Sequence, residues 1–334
     1  MRKPQHERSQ QSHCLLKGQW LLLHLEKRVW DREKKKRKSK FDRACQKKTT
    51  VVYFIDMSLK IDKKNPLCRR KRQSIRKLKM MERIKILVAL HKPYWLPQED
   101  VYAPIRVGGA VIPGLEAALC DDRGENISAK NKYYCEMTAL YWAWKNLDAD
   151  YVGLVHYRRY FAGKRPLARK TARIATRAEI EAALQKAPVI LPKPRNYWIE
   201  TTYSQYAHAH HAEDLDTVRT ILSQQYPAYL TSFDRVMKRT KGHRFNMMVM
   251  RRDYFDHYCE WMFDVLARAE GQIDWRAYST YDQRVFGFLA ERLMDVWVET
   301  NRVPYTEMPV VFLESQHWLK KGTAFLRRKF KGRP

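Results

Sequence analysis

Apolar residues of this chain fall into short compact runs that alternate with amphipathic segments. The runs are typical of strands covered on both faces of a sheet: Ile84–Leu90, Tyr151–Val155, Val189–Leu191, Phe245–Met250 and Val296–Glu299. The segments between them repeat apolar residues at helical spacing: Tyr133–Asn146, Arg177–Lys186, Leu215–Gln224, Tyr229–Arg239, Tyr254–Ala269 and Asp282–Met294. This alternation predicts an α/β fold with a mostly parallel central sheet, helices on both faces and an appended helical part.

The run Tyr151–Val155 is followed at once by a cationic and aromatic tip, from His156 to Tyr160. In open α/β sheets, ligands bind just beyond the carboxyl ends of the strands. Two adjacent arginines at such a place, Arg158 and Arg159, favour an anion, and phosphate is the usual one. The alternative is a surface charge pair beside two interface aromatics.

The net charge of +29 suggests nucleic acid or an anionic membrane as a partner, but its distribution weakens that inference. Residues 1–80 contain 26 lysines and arginines against 7 acidic residues, whereas residues 81–334 contain 39 against 29. The excess therefore lies mainly in the first quarter of the chain, which keeps no helical or strand period for long.

This contrast predicts three parts. Residues 1–80 are expected to be a basic, disordered leader, or a segment upstream of a true start at Met80 or Met81. Residues 81–300 are expected to form the folded domain, and residues 301–334 a basic tail. The alternative for the first part is a basic arm that binds nucleic acid or anionic lipid.

Several familiar kinds of site are missing from the sequence. The six cysteines form no CxxC pair, which fits a reducing cytosol, and no apolar run is long enough to span a membrane. The motifs GxGxxG after the first strand, GxxxxGK[ST], GxSxG and HExxH are absent. His208, His210 and His211 cluster without a clear third ligand, so we predict no metal site there.

Polar groups after successive predicted elements should converge on one edge of the sheet. They are His91, Lys92, Asn126, Ser128, Lys130, Asn131, His156, Arg158 and Arg159. Four aromatic residues accompany them: Tyr94, Trp95, Tyr157 and Tyr160. Several cations, a helix N-terminus and stacking aromatics together suit a nucleotide diphosphate, because the cations would neutralise a departing diphosphate. The alternative for each group is ordinary loop polarity.

Sugar transfer from a nucleotide sugar also needs a carboxylate, to deprotonate the acceptor or to support a cationic transition state. Asp282 is a candidate at a predicted helix start, where a structural role as an N-cap competes with catalysis. Glu136 is a second candidate by helical phase. Asp148 and Asp150 lie at the other end of their strand and are expected to be turn residues.

Four long motifs resemble the DUF4422 family of bacterial proteins, from gene clusters for capsule, exopolysaccharide and lipopolysaccharide, which are regarded as glycosyltransferases. The motifs are Ile86–Tyr94, Glu125–Asn131, Tyr134–Asn146 and Val155–Phe161. The likeness runs from about Met81 to about Val298. It implies a GT-A-like nucleotide-diphospho-sugar transferase fold.

The resemblance also implies roles for three later residues. Phe245–Met250 resembles the Phe-Asn-x-x-x-Met strand of related GT-A enzymes, which places Asn246 at the sugar site. Asp282 and Gln283 resemble an Asp-Gln pair that faces the donor or acceptor. The Asp-x-Asp metal motif of GT-A enzymes is replaced here by His156-Tyr-Arg158, so manganese or magnesium held in the usual way is in doubt.

The leading hypothesis is a cytoplasmic glycosyltransferase, peripheral at the inner face of the plasma membrane. It would move a hexose such as galactofuranose from a nucleotide-diphosphate sugar, with UDP favoured, to a lipid-linked or growing cell-surface polysaccharide. Arg158 and Arg159 would act in catalysis with Asp282, while Tyr157 and the polar groups above would bind the donor. The rival is a non-catalytic nucleic-acid-binding protein that uses its basic N-terminal arm. A nucleotide-sugar hydrolase is a third hypothesis.

Overall fold

The computed structural model describes residues 83–314, which surround a nine-stranded sheet. Its strands are β1 Ile84–Leu90, β2 Tyr102–Arg106, β3 Leu119–Cys120, β4 Tyr151–His156, β5 Arg159–Phe161, β6 Val189–Pro192, β9 Met248–Arg251, β10 Tyr305–Met308 and β11 Val310–Phe312. A separate two-stranded ribbon contains β7 Arg195–Asn196 and β8 Lys241–Gly242. The predictions for residues 1–80 and for the end of the tail lie outside the described residues.

Eight α-helices are described in this part of the chain. They are α1 Asn131–Tyr134, α2 Met137–Asn146, α3 Arg177–Leu184, α4 Thr202–Ala209, α5 Ala212–Gln225, α6 Pro227–Lys238, α7 Arg252–Glu270 and α8 Val285–Thr300. Capping boxes fix the starts of α3, at Thr176 and Glu179, and of α4, at Thr201 and Ser204. No helix among residues 83–314 is long and apolar enough to cross a membrane.

The main path of the sheet runs β10-β6-β9-β4-β1-β2-β3. β9 is antiparallel to both β4 and β6, and the other strands of this path share one direction. Apolar residues of β1 alternate between two buried clusters, with Leu87 in one and Ile86 and Val88 in the other. The predicted α/β class, with a mostly parallel sheet covered on both faces, is therefore confirmed.

Gly153 allows β4 to pass close to its neighbours at the centre of the sheet. A Cβ atom at this position would lie 2.8 Å from the carbonyl oxygen of Met248 in β9 and 3.1 Å from a side-chain carbon of Ile86 in β1. Only glycine fits without movement of the backbone.

Two predicted strands differ from the structure. Val296–Glu299 is wrong as a strand, because α8 continues to Thr300 and buries this apolar run against other helices. The strand predicted to begin at Phe245 begins at Met248, since Phe245 and Asn246 have positive φ angles of 78° and 51°. In addition, two strands beyond residue 300 join the sheet, at Tyr305–Met308 and Val310–Phe312.

Candidate functional site

A cavity of about 250 Å³ lies at the edge of the sheet where β4 and β6 end and β9 begins. Because β9 is antiparallel to β4 and β6, the segment that precedes β9 lies at the same edge of the sheet as the carboxyl ends of these two strands. Sixteen residues line the cavity: Cys135, Glu136, His156, Arg159, Arg195, Tyr197, Gln205, His210, Arg244, Phe245, Tyr281, Arg284, Gly287, Phe288, Glu291 and Arg292.

Positive charge dominates this cavity, because five arginines face two glutamates. Arg244 and Arg292 form its deeply buried part, with 2% and 3% of their surface exposed. The Nε atoms of both residues are buried without a hydrogen-bond partner within residues 83–314. Buried polar groups normally have partners, so these two guanidinium groups keep unused donor capacity beside the cavity.

Arg244 and Arg292 are only partly neutralised by nearby carboxylates. Arg244 lies 3.5 Å from Asp295, and Arg292 lies 3.0 Å from Glu291. Burial lowers the pKa of Arg292, although the charge of Glu291 opposes this effect. The arginines therefore leave the cavity with an excess of positive charge.

Arg159 and Arg284 are the lining arginines whose guanidinium groups contact soft or aromatic neighbours. The Arg159 guanidinium lies 4.8 Å from the centre of the Phe245 ring, and burial lowers its pKa. The Nε of Arg284 donates a hydrogen bond of 3.2 Å to the Cys135 sulfur. Neither guanidinium forms an ion pair with a described carboxylate, so both can bind an anion.

Glu136 and His156 line the cavity, and Asn246 joins them in a polar network behind its wall. The Asn246 amide nitrogen donates to Glu136 at 2.7 Å, and the His156 Nε2 lies 3.4 Å from the same carboxylate. Burial of Glu136 opposes ionisation, but the charge and hydrogen bond of His156 and the bond from Asn246 outweigh it and lower the pKa of Glu136 to about 2. Glu136 is therefore an anion at neutral pH and a weak base.

Asn246 contributes a second feature to this network. Its Oδ1 atom is buried without a hydrogen-bond partner in the described part of the chain. The positive φ of Asn246 belongs to a backbone region that asparagine tolerates better than most residues. The residue that the family resemblance placed at the sugar site thus contacts Glu136 but does not itself line the cavity, and its role at the sugar stays a prediction.

A second cluster surrounds the Tyr157 ring, directly after β4. The His91 ring lies 5.4 Å from it, Tyr94 4.8 Å, the Lys92 ammonium 5.7 Å and the Arg158 guanidinium 5.1 Å, measured to the ring centre. Burial and these cations lower the pKa of His91, which is therefore neutral near pH 7. The structure thus brings together the predicted groups that follow β1 and β4.

Arg158 and Arg159 have different surroundings although they are neighbours in sequence. Arg159 lines the cavity, whereas Arg158 forms an ion pair of 3.0 Å with Glu314 and is 40% exposed at its side chain. The predicted pair therefore separates into an inner and an outer arginine.

The predicted group from Asn126 to Asn131 is engaged elsewhere. Asn126 and Asn131 donate to backbone carbonyls of their own region, and Ser128 donates to a buried aspartate at 2.5 Å. Lys130 pairs with Glu270 at 2.7 Å and lines a separate cavity of about 610 Å³. These side chains do not line the arginine-rich cavity, and their role in donor binding stays a prediction.

Asp282 lies immediately behind the cavity and is buried. It accepts a hydrogen bond of 2.8 Å from Ser279 and lies 3.2 Å from Nδ1 of His210, a lining residue. Gln283 donates to the backbone carbonyls of Arg276 and Tyr278. The catalytic role of Asp282 and the binding role of Gln283 stay predictions.

Sequence reasoning did not identify several lining residues: Arg195, Tyr197, Gln205, Arg244, Arg284, Glu291 and Arg292. They come from four separate segments, and the sequence around each of them contains no motif that indicates a site. A signal existed only for Glu291 and Arg292, since a charged pair inside the apolar pattern of α8 marks a polar contact for that helix.

The residues at the cavity do not fit the divalent metal that a GT-A fold usually implies. At the end of β4 the chain presents His156, Tyr157 and Arg158, and arginine is a donor with no free lone pair. Within residues 83–314, no group of three or more His, Cys, Asp or Glu side chains could hold a metal ion.

The sequence shows which known family this chain belongs to. The sequence matches the family described as "Domain of unknown function (DUF4422)" over residues 85–302, which is more than half of the chain. The chain belongs to this family, as its motifs predicted. No protein of curated function matches the sequence.

A solved structure is also similar to this chain. It is the apo structure of WbbM, a bifunctional glycosyltransferase, with a TM-score of 0.63 and 29% sequence identity. The similarity covers 70% of this chain and 46% of the WbbM chain, so this protein spans about half the length of WbbM. The likeness is consistent with the GT-A-like fold that the motifs implied.

Proposed function

We propose that this protein is a glycosyltransferase that moves a hexose from a nucleotide-diphosphate sugar to a lipid-linked or growing cell-surface polysaccharide. One observation carries the proposal: Arg159, the first residue of β5, pairs with His156 at the carboxyl end of β4 and lines a cavity with four further arginines and two glutamates. Similarity to a bifunctional glycosyltransferase supports the reaction class. UDP is the favoured nucleotide, and galactofuranose is one candidate hexose.

Arg159 and Arg284 would hold the diphosphate inside the cavity. Their guanidinium groups would neutralise the charge that develops when the bond between the anomeric carbon and the diphosphate oxygen breaks. Lys92 and Arg158 would contact the outer part of the donor, and the half-buried ring of Tyr94 offers a surface for the base, while Tyr157 is buried beneath them. The arginines supply the charge that a metal supplies in other enzymes of this fold.

Glu136 would act on the sugar. Asn246 lies behind the cavity wall and would position Glu136 for the sugar by donating to its carboxylate. Glu136 stays ionised and would stabilise the positive charge that the sugar ring gains in the transition state.

Glu291 is the better placed of two candidate bases. It lines the cavity with 22% of its side chain exposed, whereas Asp282 lies behind His210 and is held by Ser279. As the acceptor oxygen bonds to the anomeric carbon, its proton would pass to Glu291 and the diphosphate would leave with the bonding electron pair. Asp282 would orient His210.

A donor panel tests this proposal. The melting temperature of the protein is measured with UDP-, GDP-, CDP- and dTDP-sugars, with and without manganese, because a ligand of the folded state raises it. A shift with a UDP-sugar without manganese, followed by transfer to a glycan acceptor, is expected. If no nucleotide sugar binds, the proposal fails, and release of free sugar without an acceptor identifies a hydrolase instead.

A further inference from the structure

We propose that the turn at Trp198 and Ile199 is a membrane anchor that docks the cavity mouth onto an anionic bilayer. This inference names the partner surface and rests on the proposed function, in which the acceptor is linked to a lipid. The side chains of Trp198 and Ile199 are 81% and 59% exposed, although both residues are large and apolar. Adjacent exposed residues of this kind mark an interaction site more often than isolated ones do.

The turn holds these side chains outward by its own backbone. Trp198 has a positive φ of 61°, a costly conformation for a bulky residue. Its backbone nitrogen donates to the Asn196 side chain at 2.9 Å, and the nitrogen of Ile199 donates to the carbonyl of Tyr197 at 2.7 Å. The exposed pair is therefore fixed by local bonds that maintain a strained turn.

The turn is also directly connected to the cavity. Arg195 and Tyr197, which precede the exposed pair, line the cavity, and β7 pairs with β8 through Arg195 and Gly242. Thus Tyr197 faces the cavity and the next two residues face solvent. A surface that buries Trp198 and Ile199 would lie against the cavity mouth.

Charge favours an anionic bilayer as the occupant of this surface. Lys193, Lys238 and Lys241 are exposed around the ribbon and form no ion pair with a described carboxylate. Tryptophan at the level of the headgroups, with lysines beside it, is the usual composition of an interfacial anchor. Each basic residue near an anionic leaflet adds about 1 kcal/mol of attraction.

Vesicle binding by the full chain tests the anchor. Partitioning onto phosphatidylcholine vesicles with and without phosphatidylglycerol is compared for the wild type and for the double variant Trp198→Ala/Ile199→Ala. Raised salt is included, because it screens the attraction of the basic residues 1–80. Val111→Ala is the matched control, since Val111 is 87% exposed at another place.

The double variant is expected to partition at least about tenfold more weakly than the wild type, the scale of losing one large apolar side chain from a buried position. Val111→Ala should partition like the wild type, and Lys193→Glu/Lys241→Glu should remove the preference for phosphatidylglycerol. If the double variant partitions onto vesicles like the wild type, the anchor is overturned. The anchor is equally overturned if the double variant keeps its vesicle binding and instead binds a soluble glycan more weakly. Donor-induced melting shifts of the same variants report separately on the proposed function.

Discussion

Replacement of Arg159 by Gln distinguishes the role of the inner arginine, Arg159, from that of the outer arginine, Arg158. Arg159→Gln keeps a planar polar group of smaller size but removes the charge at the start of β5, beside the carboxyl end of β4. Arg158→Gln is the matched control, because it makes the same substitution at the neighbouring residue, which lies outside the cavity.

The structure sets the expected sizes of the effects on stability and on catalysis. The Arg159 guanidinium makes one described contact that its loss would remove, a cation–π contact with Phe245 at 4.8 Å, worth about 0.5–1 kcal/mol. Loss of a group that stabilises charge in the transition state costs about 2.7–4 kcal/mol, or roughly a hundredfold to a thousandfold in rate. Catalysis should therefore fall far more than stability.

Initial rates of sugar transfer and thermal unfolding are measured on both variants. We expect Arg159→Gln to lower kcat/KM by about a hundredfold or more with a melting temperature close to that of the wild type. Arg158→Gln should lose about tenfold or less, since an exposed charge that is paired with Glu314 contributes less. Near-wild-type turnover of folded Arg159→Gln would refute the assignment of this arginine to the diphosphate.

Three further predictions follow from other contacts. Glu291→Gln should lower kcat by about 10²–10⁴-fold with donor affinity retained, and a larger loss in Asp282→Asn would return the role of base to Asp282. In urea unfolding, Gly153→Ala should lower the free energy of unfolding by about 1–3 kcal/mol. Gly271→Ala, whose added Cβ meets only ordinary contacts, should change it by less than about 0.5 kcal/mol. Equal effects of the two substitutions would contradict the close contact between the strands. Burial opposes protonation of His243, but hydrogen bonds and charge interactions with two carboxylates outweigh it and raise its pKa. The stabilisation from protonated His243 is therefore complete below about pH 6.5 and is lost as pH rises through the raised pKa. The stability difference between wild type and His243→Gln should therefore shrink from pH 6 to higher pH in thermal unfolding, and a constant difference contradicts it.

The fold could be predicted from the sequence where local pattern and tertiary role agree. The run Tyr151–Val155 is buried on both faces, and its cationic tip lies at the carboxyl edge of the sheet, as the abrupt change in polarity indicated. The prediction of a strand at Val296–Glu299 is wrong, because a helix enclosed by other helices buries consecutive apolar residues in the same way as a strand.

The cavity could be predicted only in part, since its walls depend on contacts between distant segments. The cationic segment after β4 supplied His156 and Arg159, and helical phase supplied Glu136, whereas Asn246 contacts Glu136 without lining the cavity. Arg244 and Arg292 reach the site because β9 is antiparallel and α8 contacts the segment before it, where Asn246 donates to the Gly287 carbonyl, and neither arrangement has a local signal. The separation of Arg158 from Arg159 also lacked a local signal, since the carboxylate that pairs with Arg158 comes from distant Glu314.

Titration calorimetry with UDP and with uridine tests the central claim most directly, because the two ligands differ by the diphosphate alone. The account predicts that wild-type protein binds UDP much more tightly than uridine without added metal, and that this difference collapses in Arg159→Gln while uridine binding is unchanged. Equal affinity of the wild type for UDP and uridine, or a difference that Arg159→Gln preserves, would contradict it.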